Sequence, residues 1–342
     1  MITQLLHDDV RELGASIAIA SPTRYTILGE PRDVSRLEVL PRPGETIDVS
    51  PRSDEVDDAG RSPEIMLAVL ETDIYQRLYR RPVTTATRST PDIAEARDFL
   101  TRLDEANAGG GSWEPEWRLV DRAGEDASVE HGGVVYHVAC DRVRIDGDGR
   151  CRVRVGKAMT ALLPGYYLAR SDADEPFEND AGAGPVVRFY WSLDAVVAPR
   201  YLAEITRSLN EAGVPFRTKV IAHPANYGNA DAGVLYIRKG FVPGLVPRLR
   251  AVQARLEPEL RDAVPMFAHR LARGLAVAED PHDGASFGQS RSRVAARGLW
   301  AGFVAGDTLD GMARAFAAHG LDPRRPYLGP GSEDIYEGMA FA

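Results

Sequence analysis

The sequence predicts an α+β protein in which antiparallel sheets pack against helices. Residues 113–169 alternate between apolar and polar side chains and are interrupted by Asp-Gly turns, the pattern of an antiparallel meander. Residues 186–238 hold three short alternating runs, the first two separated by a helical tract. Other tracts repeat apolar residues at helical spacing. A strand–GxGxxG–helix unit and a GxxxxGK[ST] loop are both missing, which argues against the common nucleotide folds.

In chain order, residues 31–62 are rich in Pro, Asp, Arg and Ser and predict irregular structure. "SPEIMLAVLETDIYQRLYRR" opens on Ser-Pro-Glu and continues at helical spacing, so a helix is expected there. "TPDIAEARDFLTRLDEAN" predicts a second helix, stopped by "AGGG". After the meander, the acidic, aperiodic "RSDADEPFENDAGAG" (170–184) reads as a linker. Beyond it come strand "VVRFYWSL", helix "APRYLAEITRSLNEAG", strand "VPFRTKVIA", a polar loop and strand "AGVLYIRKG". Helical tracts over 243–258 and 292–319 follow, with a loop between them. The chain therefore divides into an N-terminal helical and β-meander region (1–175), suited to peptide or partner recognition, and a C-terminal domain (185–342).

At 342 residues and 44% hydrophobic, the chain can bury one large core or two ordinary ones. A formal net charge of −9 argues against a general nucleic-acid or anionic-membrane surface, so an anion site would be a local pocket. No stretch approaches the length of a membrane span. The N-terminus has no basic head followed by an apolar run, which predicts a cytoplasmic protein. Cys140 and Cys151 flank a hairpin turn out of register, and two reduced thiols are expected.

Side chains two apart on a strand share a face. By that rule Arg188 pairs with Tyr190, Arg217 with Lys219, and Tyr236 with Arg238, each pair opposite an apolar face. The plain reading of one such strand is the solvent side of a half-buried sheet. Three strands repeating it, without a carboxylate among the six polar positions, point instead to a site for a dianion such as phosphate. The chain has three lysines, Lys157, Lys219 and Lys239, its other basic residues being arginine. A lysine can lose its proton and act as a base where arginine cannot, and neighbouring positive charge favours its neutral form. Lys219 is placed for that; Lys157 and Lys239 read as surface lysines. Arg293 reads as a surface residue and Trp113 to Trp117 as core. "AEDPHDG", with Glu279, Asp280, His282 and Asp283, lacks metal-ligand spacing and reads as a solvated loop.

The segments "RFYWSL", "PFRTKV", "DAGVLYI", "GLAVAEDP", "SFGQSR" and "RPYL", in this order and spacing, resemble the HopA-type effector family. The resemblance extends from about residue 65 through "EANAGGGSWEPEW" and "LPGYYLA" to the C-terminus. It implies a C-terminal domain similar to the phosphothreonine lyases. In class V lanthipeptide and thioamitide pathways, such proteins act beside an aminoglycoside-phosphotransferase-like kinase. The kinase phosphorylates Ser or Thr of a ribosomally made precursor peptide; the lyase eliminates the phosphate, leaving dehydroalanine or dehydrobutyrine.

By this resemblance Lys219 is the base and Arg238 and Arg291 bind phosphate; Arg188 and Arg217, on the same cationic face, are expected to bind it with them. Tyr236 bonds the phosphate or the enolate oxygen, and no metal or organic cofactor is implied. Where the lyases carry Lys-x-His, this chain reads Arg188-Phe189-Tyr190, so the acid role passes to Tyr190 or His223. The polar loop offers Asn229 where an arginine is expected. The alternative class is a non-catalytic phosphopeptide or leader-peptide binder, or an effector acting by contact. A kinase is disfavoured by the absence of a Gly-rich loop and of an HxD…N…D set.

Overall fold

The computed structural model describes residues 6–40, 48–51, 63–83, 92–159, 165–173, 184–281, 283–339 and 341. Its elements begin with α1 (Asp8–Ser16), β1 (Ile17–Ser21), β2 (Arg24–Ile27), β3 (Glu30–Asp33), β4 (Leu37–Leu40), β5 (Asp48–Pro51), α2 (Glu64–Asp73) and α3 (Ile93–Ala106). Next come β6 (Ser112–Ala123), β7 (Asp126–His131), β8 (Val134–Ala139), β9 (Val143–Gly147), β10 (Arg150–Val155), β11 (Tyr166–Arg170) and β12 (Val186–Trp191). The chain continues with α4 (Ala198–Glu211), β13 (Phe216–Ile221), β14 (Gly233–Arg238) and α5 (Val242–Leu256). It closes with β15 (His269–Ala272), β16 (Leu275–Glu279), α6 (Phe287–Ala305) and α7 (Thr308–Ala318). The mixed α+β class with antiparallel sheets is the one the sequence predicts.

These elements form two units, neither continuous in sequence: Met1–Val83 with Ala263–Leu271 and Ala276–Met339, and Thr84–Asp262 with Ala272–Leu275 and Ala340–Ala342. The acidic segment 170–184 falls within the second unit, and its residues 174–183 lie outside the described residues.

In the first unit, the stretch expected to be irregular contains β3, β4 and β5; residues 41–47 and 52–62 of it lie outside the described residues. The helix expected over 62–81 forms as α2 and continues into a π-helical turn, Ile74–Tyr79. The tract expected as one helix over 292–319 is two. A capping box between Ser286 and Gln289 starts α6 ahead of the expected position, so Arg291 lies inside a helix. Gly306 (φ 78°) ends α6 in the left-handed region, and Asp307 caps α7. The expected loop over 271–291 contains β16, whose five residues are all buried.

The second unit holds the expected meander as a sheet in the order β8-β7-β6-β10-β9, with a small core of Trp117, Val129, Cys151 and Val153. Both cysteines are free, Cys151 being buried. The expected meander loses its last strand: β11 leaves it and pairs with β13. Tyr167, Leu168, Ala169 and Arg170 are all buried, as in a strand covered on both faces rather than one turned to solvent.

The order β11-β13-β14-β12 is antiparallel throughout. One face carries Tyr167, Ala169, Phe216, Thr218, Val220, Leu235, Ile237, Val187, Phe189 and Trp191, all buried. Full burial of each large apolar side chain here contributes about 1.5–3 kcal/mol. Helix α4 turns Tyr201, Leu202, Ile205 and Leu209 inward, and the Tyr201 hydroxyl meets Thr218 Oγ1 at 2.8 Å. Trp191 Nε1 donates to Gln253 Oε1 of α5 at 3.0 Å, tying β12 to that helix. With this face closed by packing, the other is left for polar chemistry.

Candidate functional site

Register assigns the side chains of that second face. One row across the sheet reads Leu168, Lys219, Val234, Tyr190; the next reads Arg170, Arg217, Tyr236, Arg188. Arg238 lies one row further, opposite Val186, and Tyr166 lies on the other side of the lysine row, opposite Ile221. The three strand pairs expected from alternation therefore share one face, and β11 adds Arg170 and Tyr166. None of the residues placed on this face is a carboxylate.

The tyrosines separate the cations. Arg188 lies 5.3 Å from the centre of the Tyr236 ring, and Lys219 Nζ lies 6.0 Å from the same ring. The Lys219 amine is closer to Tyr166, at 4.3 Å from the ring centre. Arg238 Nη1 donates to the Gly184 carbonyl at 3.3 Å. Arg170 is paired with Glu114, which reaches it from β6. Burial holds Arg217 below the usual arginine range; Arg170 adds to this and Glu114 opposes it.

The two candidate acids differ in placement. Tyr190 is 3% exposed and stands in the lysine row, two strands from Lys219. His223 is extended (φ −123°, ψ 126°) but lies past the end of β13, in a bend that leads into the 3-10 turn Pro224–Asn226. Its Nδ1 accepts the Ala225 amide at 3.1 Å, which assigns the proton of a neutral ring to Nε2. Among the described residues the buried Nε2 has no hydrogen-bond partner.

The polar loop after β13 is held at several points. The Tyr227 hydroxyl donates to the Ile221 carbonyl at 2.8 Å, and its ring meets Phe99 edge-on. Arg261 Nη2 donates to the Asn229 carbonyl at 2.6 Å, while its Nε lies 3.2 Å from Asp194 Oδ1. An arginine thus reaches this loop from outside it, but holds backbone and a carboxylate.

Arg291 belongs to the first unit and is 1% exposed. Its Nε and Nη2 donate to the carbonyls of Pro326 and Leu328, at 2.6 and 2.9 Å. Glu279 holds the same segment: its amide donates to the Tyr327 carbonyl, and its carboxylate accepts the Gly329 amide at 2.8 Å and the Tyr336 hydroxyl at 3.0 Å. Glu279 is therefore buried rather than part of a solvated loop; His282 lies outside the described residues. Lys157, expected at the surface, donates to the carbonyls of Asp104 and Asn107 at the C-terminal end of α3. Arg293 pairs with Glu71 at 3.4 Å. Trp117 is core, whereas Trp113 is half-buried beneath Arg144.

Tyr166 and Arg170 are absent from the site residues expected from the sequence, because Tyr166 falls in the expected meander and Arg170 opens the expected linker. The available signal is the same alternation, which puts Tyr166, Leu168 and Arg170 on one side.

No curated protein matches the chain. Among solved structures, the effector protein from Pseudomonas syringae pv. tomato strain DC3000 is similar at 20% identity, covering 75% of this chain and 89% of that one, with a TM-score of 0.46. The effector protein from Pseudomonas syringae pv. syringae strain 61 is similar at 15% identity, covering 75% and 88%, with a TM-score of 0.43. Residues 158–328, which contain β11 through β14 and both helices packed on them, match the HopA1 effector protein family. That span is half of the 342 residues, and the chain belongs to this family.

Proposed function

We propose that the protein eliminates phosphate from phosphoserine or phosphothreonine in a ribosomally synthesised precursor peptide, leaving dehydroalanine or dehydrobutyrine. The observation that carries this reading is a single face on which one lysine stands among arginines and tyrosines and no carboxylate. Lys219 takes the α-proton. Arg188, Arg217 and Arg238 hold the phosphate through charge-assisted hydrogen bonds, and Tyr236 bonds the phosphate or the enolate oxygen. Phosphate bound among guanidiniums departs as an anion, with Tyr190 as the preferred proton donor. Arg291 serves by holding the 326–329 segment. A phosphotransferase-like kinase supplies the phosphorylated peptide, and the scheme uses no metal or organic cofactor.

A second reading, phosphopeptide binding without chemistry, is favoured by one observation: the histidine position of the lyases' Lys-x-His is occupied by Tyr190, and the Nδ1 of His223 is engaged with the Ala225 amide. Mass spectrometry of a phosphorylated precursor, with and without the protein, separates the two. Loss of phosphoric acid is expected; binding with the phosphate retained would replace the lyase by the binder.

A further inference from the structure

Lys219 lies in unusual company for a lysine. Among the described residues, its amine meets no carboxylate; its neighbours are the ring faces of Tyr166 and Tyr236, at 4.3 and 6.0 Å. Lys157, by contrast, is used on two carbonyls and lies 3.5 Å from Asp104 Oδ2. Tyr166 stands diagonally across from Lys219 on the neighbouring strand, the first residue of β11, where register turns it to the lysine's face. An aromatic face attracts a cation within about 6 Å, and more strongly when the site is desolvated.

We infer that Tyr166 is a further catalytic side chain of this face, stabilising the positive charge that Lys219 gains as it takes the proton. This rests on the β-elimination reading above. In that step the Cα–H bond breaks and an Nζ–H bond forms. The freed electron pair becomes the Cα=Cβ bond, and the Cβ–O bond breaks with its electrons leaving on phosphate. The amine therefore passes from neutral to cationic while the substrate becomes anionic. A ring that meets the ammonium better than the amine binds the transition state more tightly than the ground state. A carboxylate at the same place would also stabilise the ammonium, but would repel the phosphate. A tyrosine face supplies negative potential without a net charge, which suits a site built for a dianion. The charged and titratable groups sharing the face with Lys219 are Arg170, Arg217, Tyr236, Arg238, Arg188 and Tyr190, and Glu114 reaches it through Arg170.

The test compares Tyr166→Leu with Tyr166→Phe in single-turnover elimination from a synthetic phosphopeptide across pH. Tyr166→Leu is expected to lose about 3- to 30-fold in kcat on the alkaline limb, with KM little changed. The loss shrinks on the acid limb, where the lysine is already an ammonium before reaction and the ring helps both states alike. Tyr166→Phe keeps the ring face and loses less. An equal loss at every pH, or equal losses in both variants, would overturn the role.

A second measurement needs no activity. Acylation of the ligand-free protein by an amine-selective reagent, read by peptide mass spectrometry, is expected to accelerate several-fold at Lys219 in Tyr166→Leu, with Lys157 and Lys239 as internal standards. Unchanged labelling overturns the ring's hold on Lys219 whatever the kinetics show. Ring-dependent labelling in a wild type that eliminates nothing removes the lyase reading, and this role with it. If Tyr166→Leu does not fold, a tetrafluorinated phenylalanine at position 166 keeps the shape, removes the negative ring face and carries the same expectations.

Discussion

Arg170 and Arg217 stand directly opposite each other on β11 and β13, two guanidiniums at one register position. Glu114 is ion-paired with Arg170, and its charge also favours that of Arg217. Burial and the facing Arg170 both hold Arg217 below its usual range, so keeping it charged opposes folding. On the reading proposed above, an anion bound on this face would offset that cost.

Arg217→Gln is therefore expected to raise the melting temperature of the ligand-free protein slightly while weakening its binding of phosphopeptide. Inorganic phosphate should stabilise the wild type by linkage and the variant less. Thermal melts with and without phosphate check both signs. A variant that melts lower, yet gains as much from phosphate as the wild type, would remove Arg217 from the anion site.

Lys219→Ala and Lys219→Arg are both expected to abolish elimination while leaving phosphopeptide binding largely intact, since arginine keeps the charge but cannot act as a base at neutral pH. Tyr190→Phe and His223→Ala should each slow the reaction by less than about a thousandfold, within the range for loss of a general acid. Tyr190→Phe is expected to cost more, because Tyr190 shares the lysine row. Single-turnover loss of phosphoric acid measures all four variants. Full activity in Lys219→Arg would exclude Lys219 as the base, and a dead His223→Ala beside a wild-type Tyr190→Phe would give the acid role to the histidine.

Arg238→Ala and Arg291→Ala should fail in different ways. Arg238 is half-buried on the cationic face, and its loss is expected to cost on the order of 2–5 kcal/mol in binding phosphorylated peptide. Binding of the unphosphorylated peptide should change little. Arg291 holds two buried carbonyls, and each left unpaired costs about 1–3 kcal/mol. Its removal should lower the melting temperature markedly. Calorimetric titration and melting of both variants check this; a stable Arg291→Ala that loses only phosphate-dependent binding would return Arg291 to the phosphate site.

The first unit should weaken in acid through His269, whose ring lies tilted against that of Tyr327, with centroids 4.7 Å apart. Burial holds this histidine below its usual range, with the Asp334 carboxylate opposing. The unfolded chain thus takes up a proton near pH 6.5, roughly the free value, which the folded unit resists. Stability is full above that pH and falls as the pH drops from there toward the lowered folded value. His269→Phe keeps an aromatic ring against Tyr327 and should flatten this part of the melting-temperature profile. An unchanged slope would assign the acid sensitivity to another group.

Alternation alone determined which side chains share a face on β12, β13 and β14, because the pleat has a period of two and needs no partner to set it. The same local chemistry placed α2, α3, α4 and α5, whose apolar spacing is written within each segment. What lay beyond it was pairing. "YYLA" resembles a meander strand and Arg170 the start of a linker until their partner is known, and only pairing with β13 puts Arg170 opposite Arg217 and Tyr166 beside Lys219. Arg291 likewise looks like any arginine near a helix start; that it turns inward to two carbonyls some 35 residues later depends on a contact no local pattern encodes. Strand order, register and the fate of a buried charge are set by which distant segments meet, and that meeting is decided by the free energy of the whole fold rather than by any one stretch of it.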